Sequence, residues 1–363
     1  LALSAVMLAG CANSSGTKTT QAETTVSETT ESQTEASEVQ ADGVVKTTAG
    51  LIQGTKEDGI YCYLGVPYAE AKERFVPAEE VTPWEGVRVA DTYGPMSPQA
   101  QISGVDGESS QNGTDNNSQN LNIWTPSIRD GRKRPVMVWL HGGGFSAGSS
   151  IEQLAYDGEN LSRSGDVVVV SVNHRLNVLG YLDLSPFGEK YRDSANAGNL
   201  DLIAALEWIR DNIEGFGGDP ENVTLFGQSG GGVKVWSLLQ MPEADGLFHK
   251  GIIESGVVDP DLLGDTEDGN GREIVKAMLA ELGLEEKDVD QLETLPYDQL
   301  AQAYENAAPK VAQKGEYVGN HPHKNQSYFG DAIKHGFREE TKKIPLLIGT
   351  VLGEFDFGPA ISG

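Results

Sequence analysis

Short apolar runs rich in valine, isoleucine and leucine recur through this chain: "PVMVWL" (135–140), "DVVVVSV" (166–172), "NVTLF" (222–226), "GIIESG" (251–256) and "IPLLIG" (344–349). Runs this short, bounded by turn residues, predict strands buried on both faces. Between two of them, "LDLIAALEWIRDNIEGF" places Leu202, Ala205, Leu206, Ile209 and Ile213 on one helical face. Alternation of this kind predicts an α/β fold, with a mostly parallel sheet covered by helices on both sides. Earlier, "GVVKTTAGLIQGTKEDGIYCYLGVPYA" alternates around glycine turns and predicts antiparallel strands at a sheet edge.

Residues 259–340 break the alternation. "GREIVKAMLAELGLEEKDVDQLETLPYDQLAQAYENA" is helical and amphipathic, and it is inserted between two sheet strands. An insertion there lies over the carboxyl ends of the strands, where open α/β sheets bind ligands. It is read as a helical cap rather than a separate domain.

The length of 363 residues suits one large α/β domain. The formal charge of -27 argues against nucleic acid and against anionic lipid as charge-driven partners, and leaves an uncharged small substrate open. Two cysteines, Cys11 and Cys62, allow neither a disulfide framework nor a cysteine-rich metal site. No cofactor and no metal are expected.

The N-terminus reads as an address. "LALSAVMLAGC" is an apolar run too short to span a bilayer, and residues 1–10 look like the end of a secretory signal. A cysteine directly after Leu-Ala-Gly resembles the lipobox of bacterial lipoproteins, in which the cysteine, here Cys11, is lipidated and becomes the mature N-terminus. The alternative is an ordinary secretory signal with a chance cysteine. The Ser, Thr and Glu of residues 11–42 have little to bury and predict a disordered tether with a reach on the order of 30 Å. The folded body is expected from Gly43. The first residue is Leu1 rather than Met, so the reading frame is expected to start upstream.

Within "LFGQSGGGVKV", Gly227-Gln228-Ser229-Gly230-Gly231 fits G-x-S-x-G. A serine at a sharp strand-to-helix turn takes a strained backbone conformation, and flanking glycines remove side chains that would collide there. The following helix aims its amides and positive dipole end at the serine. By itself the pattern also describes a plain glycine turn. A second element decides between them. "VMVWLHGGGFSAGSS" places His141-Gly142-Gly143-Gly144 directly after a buried strand. Bare backbone amides there can stabilise the oxyanion of acyl transfer. His141 is read as a structural loop residue.

From about Gly43 onwards the chain resembles the type B carboxylesterase family, the cholinesterase-like branch of the α/β hydrolases. "YLGVPYAEAKERF", "PWEGVRVADTYGPMSPQ", "LNIWTP", "GDVVVVSVNHRL", the block "NAGNLDLIAALEWIRDNIEGFGGDPENVTLFGQSGGG", "LFHKGIIESG" and "IPLLIGTVLGEFDF" carry the resemblance. It implies an α/β-hydrolase fold and a serine carboxylesterase acting on small ester substrates through an acyl-enzyme. Ser229 would be the nucleophile, Gly143, Gly144 and Gly230 the oxyanion-hole donors, and Glu354 the acid. It equally implies a histidine after the acid, and all six histidines (His141, His174, His249, His321, His323 and His335) precede Glu354. His321 and His323 are the only candidates for a displaced base, and a surface loop is the plainer reading. The expectation is that the frame continues beyond Gly363 and that this chain is a fragment without its base.

Departures from the family pattern are local. Ser97 and Ser118 stand where a disulfide is common, which leaves Cys62 as a lone apolar core residue. Asn116 replaces the acid that would pair with Arg74, so a neutral hydrogen bond is expected. Arg175 and Asp201 keep a second, buried pair. His174 stands where the family usually has Tyr. Gly230 replaces the usual Ala and predicts a slightly looser elbow. The rival functions are a non-catalytic cholinesterase-like binding protein, disfavoured by retention of Ser229 and Glu354, and an amide or lactone hydrolase with the same site. The expected location is outside the cytoplasm, with membrane contact only through the lipid anchor.

Overall fold

The computed structural model describes residues 42–99, 114–257 and 269–354. The expected signal (1–10), Cys11, the tether up to residue 41 and the first part of the expected cap lie outside these residues. At the last tether position, Asp42 accepts a 2.6 Å hydrogen bond from the hydroxyl of Tyr61.

The described residues form eleven strands: β1 (Val44–Lys46), β2 (Leu51–Gln53), β3 (Thr55–Glu57), β4 (Ile60–Pro67), β5 (Val87–Val89), β6 (Asn120–Thr125), β7 (Arg134–Leu140), β8 (Val168–Val172), β9 (Gly218–Gln228), β10 (Lys250–Glu254) and β11 (Leu346–Gly349). The helices are α1 (Glu159–Gly165), α2 (Asn177–Tyr181), α3 (Ala197–Asn212), α4 (Gly230–Leu238), α5 (Arg272–Glu281), α6 (Tyr297–Ala312) and α7 (Ala332–His335). The main sheet runs β11-β10-β9-β7-β8-β6-β4-β3, and β1, β2 and β5 form a small second sheet. From β8 through β11 every pairing is parallel, whereas β6, β4 and β3 continue the sheet antiparallel. This is the α/β-hydrolase architecture.

β8 shows why the centre holds. All of Val168, Val169, Val170, Ser171 and Val172 are buried, so both faces of the strand are covered. β-branched side chains fit such a pleat with little loss of rotamer freedom. Helix α3 lays Leu202, Ala205, Leu206, Ile209 and, just past its end, Ile213 into the same core. The run 344–349 behaves differently from the expected buried strand. β11 is the last strand of the order, and Leu347 is 66% exposed and Ile348 47%. Among the described residues it pairs only with β10.

A second core lies under the insertion. Ile274, Met278 and Leu279 of α5 and Leu300, Ala303 and Ala307 of α6 pack on Phe75, Leu179 and Leu182. Within residues 269–340 the helices end at Ala312 apart from the short α7, and the rest is turn and loop. Arg74 fastens this layer to the body. Its guanidinium donates to the carbonyl of Leu295 at 2.5 Å and to Oδ1 of Asn116 at 3.0 Å, the neutral contact expected from the sequence. Cys62 is a free thiol packed near Ile60, Trp124 and Val169, and burial pushes its pKa up to about 12.

One ion pair is buried in the body. Arg175 donates to Asp201 through Nη2 at 2.6 Å and Nε at 2.8 Å, with the two side chains 2% and 0% exposed. Gln119 and the backbone amide of Arg175 also donate to Asp201, while Nη1 of Arg175 reaches the carbonyl of Val76. Such a pair adds little net stability, but removing one partner strands the other charge in the interior. Asp201→Asn is therefore expected to destabilise the protein by about 3 kcal/mol. Chemical denaturation of the two forms measures it.

Candidate active site

β9 ends at Gln228, and α4 begins at Gly230, leaving Ser229 as the single residue between strand and helix. Its backbone sits at φ +55°, ψ −125°, a region that L-residues rarely occupy. The surroundings hold it there. The Ser229 amide donates to the carbonyl of Glu254 at 2.8 Å, and the Ser229 carbonyl accepts from Val233 at 3.0 Å as the helix starts. Ser229 thus heads a nine-residue helix, with the dipole end toward it.

The glycines around it are filled space rather than slack. β9 pairs with β7 in the register Gly227 with Leu140, which brings the end of β7 onto the turn. A Cβ on Gly231 would lie 2.0 Å from the carbonyl oxygen of Leu140, and one on Gly227 would lie 2.5 Å from Gly231. A Cβ on Gly230 would lie 2.2 Å from the amide nitrogen of Gly144. Against the expectation of a looser elbow at Gly230, the space a methyl would fill is occupied by the backbone of Gly144.

That loop is His141 to Gly148. Gly143 and Gly144 both take positive φ, +86° and +61°. The carbonyl of Gly143 accepts from the amides of Ser146 and Ala147, which closes the loop as a turn. Both glycines are exposed, and among the described residues neither donates its N–H to the protein. Gly142 approaches from below, where an added Cβ would lie 3.7 Å from Cβ of Ser229. The structure thus brings Ser229, Gly230, Gly143 and Gly144 together. The group offers a strained hydroxyl beside unpaired amide donors, a geometry suited to holding charge that develops on an acyl oxygen.

Glu354 lies past the end of β11, exposed, with Oε1 accepting from the amide of Val351 at 2.9 Å. The Ser255 hydroxyl bonds to its carboxylate and, with that backbone contact, holds the pKa below the usual glutamate value. Ser255 follows β10 directly, has φ +51°, and donates its amide to the carbonyl of Gly349 at 2.7 Å. So β10 ends in two adjacent supports, Glu254 for the serine turn and Ser255 for the acid. Sequence patterns give no hint of either, because both contacts cross between strands.

The histidines stand elsewhere. His141 is buried, with Nδ1 2.8 Å from the Gly142 carbonyl, and its ring stacks on His174 at 5.2 Å. Burial keeps both rings neutral, well below the usual imidazole pKa. Nδ1 of His249 accepts from the Val223 amide. His323 is buried in the cap, with Nε2 3.0 Å from the Gly269 carbonyl, and His321 packs edge-on to Tyr317. The ring of His335 lies against Gly330. Among the described residues none of the six is hydrogen-bonded to Ser229 or Glu354, and no group of three His, Cys, Asp or Glu is placed to hold a metal ion.

A sequence model of the carboxylesterase family matches residues 41–361. This chain belongs to the carboxylesterase family. It is 37% identical over 326 residues to the para-nitrobenzyl esterase of Bacillus subtilis (strain 168), covering 86% of this chain and 63% of that enzyme. To the phenmedipham hydrolase of Pseudarthrobacter oxydans it is 37% identical over 285 residues, or 76% of this chain and 54% of that one. Among solved structures, an esterase from Clostridium hathewayi described as able to hydrolyse aliphatic aromatic polyesters superposes with a TM-score of 0.83 at 52% identity, over 87% of this chain and 63% of the other. The chain thus spans less than two thirds of the length of these carboxylesterase relatives.

The close approaches at the serine turn can be tested one atom at a time. Gly231→Ala drives a methyl into the Leu140 carbonyl and is expected to lower stability by about 1–3 kcal/mol or more. Gly349→Ala, where nothing among the described residues lies within 4 Å, is expected to stay within about 0.5 kcal/mol of the parent in this chain. Denaturant midpoints of the two variants check the contrast.

Proposed function

We propose that this protein is a serine carboxylesterase in which Ser229 is the nucleophile. The observation that carries the reading is the Ser229 turn: a serine at φ +55° at the head of α4, packed through Gly230 against the loop of Gly143 and Gly144, whose amides have no partner among the described residues. Oγ attacks the ester carbonyl, the Oγ–C bond forms, and the carbonyl π pair moves onto oxygen. The amides of Gly143, Gly144 and Gly230 receive that oxyanion. Collapse of the intermediate expels the alcohol and leaves an acyl-enzyme, which water then hydrolyses.

The proton of Ser229 needs a base, and each of the six imidazoles is engaged away from the site. In this reading the base is a histidine outside these 363 residues, oriented by Glu354. A carboxylate held ionised by Ser255 and the Val351 amide suits that task. The substrate class is a small carboxylic ester without strong negative charge, in keeping with the net charge of -27. The lipobox-like Leu-Ala-Gly-Cys makes Cys11 the lipidated residue of a membrane-tethered protein outside the cytoplasm.

Two measurements test this. In the full-length protein, Ser229→Ala is expected to lower hydrolysis of a short-chain nitrophenyl ester at least ~10⁴-fold, and Glu354→Gln by about 10²–10⁴-fold. Because the Glu354 pKa is lowered, the carboxylate stays charged above pH 5, and the acid limb of kcat/KM between pH 5 and 8 is assigned to the imidazole. Unchanged activity in Ser229→Ala overturns the mechanism. For the anchor, metabolic labelling with a fatty acid is expected to mark the protein and to be lost in Cys11→Ala; label retained in that variant removes the proposal.

A further inference from the structure

Five residues after the nucleophile position, on the same helix, stands a lysine whose side chain is 0% exposed. Nζ of Lys234 donates a 2.8 Å hydrogen bond to the carbonyl oxygen of His141. That peptide leads directly into Gly142, Gly143 and Gly144. Among the described residues this is the only hydrogen bond of the ammonium group, and no carboxylate pairs with it. Glu152 acts on it only through space, and its own oxygens accept from the Ser149 amide and the Tyr156 hydroxyl.

The ionisable groups around Lys234 are otherwise unhelpful to a cation. His141, from the end of β7, and His174, from the loop after β8, lie beside it as stacked, neutral, buried rings, each with an unpartnered Nε2. An unpaired ammonium in such surroundings opposes folding. Its burial is thus not that of a stabilising ion pair. What its single bond does is join α4 to the peptide from which the loop with the free amides departs.

We propose that Lys234 is a positioning residue that ties the nucleophile helix to the oxyanion loop and holds the Gly143 and Gly144 amides in register with Ser229. The proposal rests on the serine esterase reading given above. The bond fixes the plane of the His141–Gly142 peptide, and therefore the direction in which the glycine amides leave it. The glycines have no side chains with which to pack, so the loop is held from its two ends: the His141 peptide bonded to Lys234 and, beyond the glycines, Phe145 packed on Tyr181 and Gly148 bonded to Gln99. While protonated, the same group puts a positive charge on the peptide that leads into these glycines, in the same electrostatic sense as their amides. Burial lowers its pKa to about 7, so the group is poised to change charge near neutrality, although a neutral amine still donates to the carbonyl.

The test separates positioning from a plain packing role. Lys234→Met in the full-length protein keeps most of the volume and removes the buried charge. Its thermal midpoint is expected to be unchanged or higher, while kcat for a short-chain nitrophenyl ester falls at least ~30-fold and KM stays within about twofold. Hydrogen exchange at 141–148 is expected to quicken at least ~5-fold with the amides of β9 unchanged. Lys234→Gln, which can still donate to the carbonyl, is expected to recover part of kcat. Retention of kcat in Lys234→Met overturns the proposal. So does a joint fall of kcat and thermal midpoint with exchange at 141–148 unaltered. If the parent protein is inactive toward esters, the esterase reading fails instead, and the exchange measurement alone still decides whether Lys234 holds the loop.

Discussion

The site depends on backbone meeting backbone. The end of β7 and the turn after β9 approach so closely that Gly227, Gly230 and Gly231 have no room for even one carbon more. Hydrogen bonding of the parallel strands sets the approach, since Leu140 is paired with Gly227. Everything chemical is suspended from that contact. The loop leaving β7 carries the free amides, the turn leaving β9 carries the serine, and backbone contact sets the distance between them, while Phe145 anchors the far side of the loop on Tyr181.

Two buried cations show how differently such a fold can use charge. Arg175 is surrounded by acceptors: both oxygens of Asp201 and the Val76 carbonyl. It joins the loop after β8 to α3 and satisfies itself in doing so. Among the described residues Lys234 has one carbonyl and no carboxylate contact. The first arrangement is close to neutral for stability and strict in geometry. The second is unfavourable on its own terms and is bonded to the peptide from which the glycine loop departs. A buried group that stability does not account for points to function with more force than a well-paired one.

Much of this was legible in the chain. The valine run of β8 and the periodicity of α3 announced the layered sheet, and "GQSGG" after "NVTLF" announced the turn. β6 was harder, because "NLNIWT" puts Asn120 and Asn122 among apolar residues. The structure buries both, with Asn122 donating to Ser150 and Ser171. β9 begins at Gly218, four residues ahead of its apolar run, where "GDPE" reads as a turn. Among the described residues β11 stands at the edge of the order, and composition does not say which strand takes that place. Lys234 left one trace: a charge in a helix otherwise made of glycine, valine, tryptophan, serine and leucine, all but one of whose positions are buried. The supports at Glu254 and Ser255 left none.

Those two supports have a consequence for how the site tolerates motion. Ser229 hangs from the carbonyl of Glu254, and Glu354 is steadied by the hydroxyl of Ser255, one residue further along the same strand end. A shift of β10, whether thermal or caused by a distant substitution, therefore carries both groups in the same direction. Their separation is conserved to first order even as their absolute positions wander. The loop of Gly143 and Gly144 has its root on β7 and does not share this common-mode protection. A displacement of β10 is therefore expected to move serine and acid together, while the oxyanion loop takes its reference to Ser229 from the Leu140–Gly227 pairing instead.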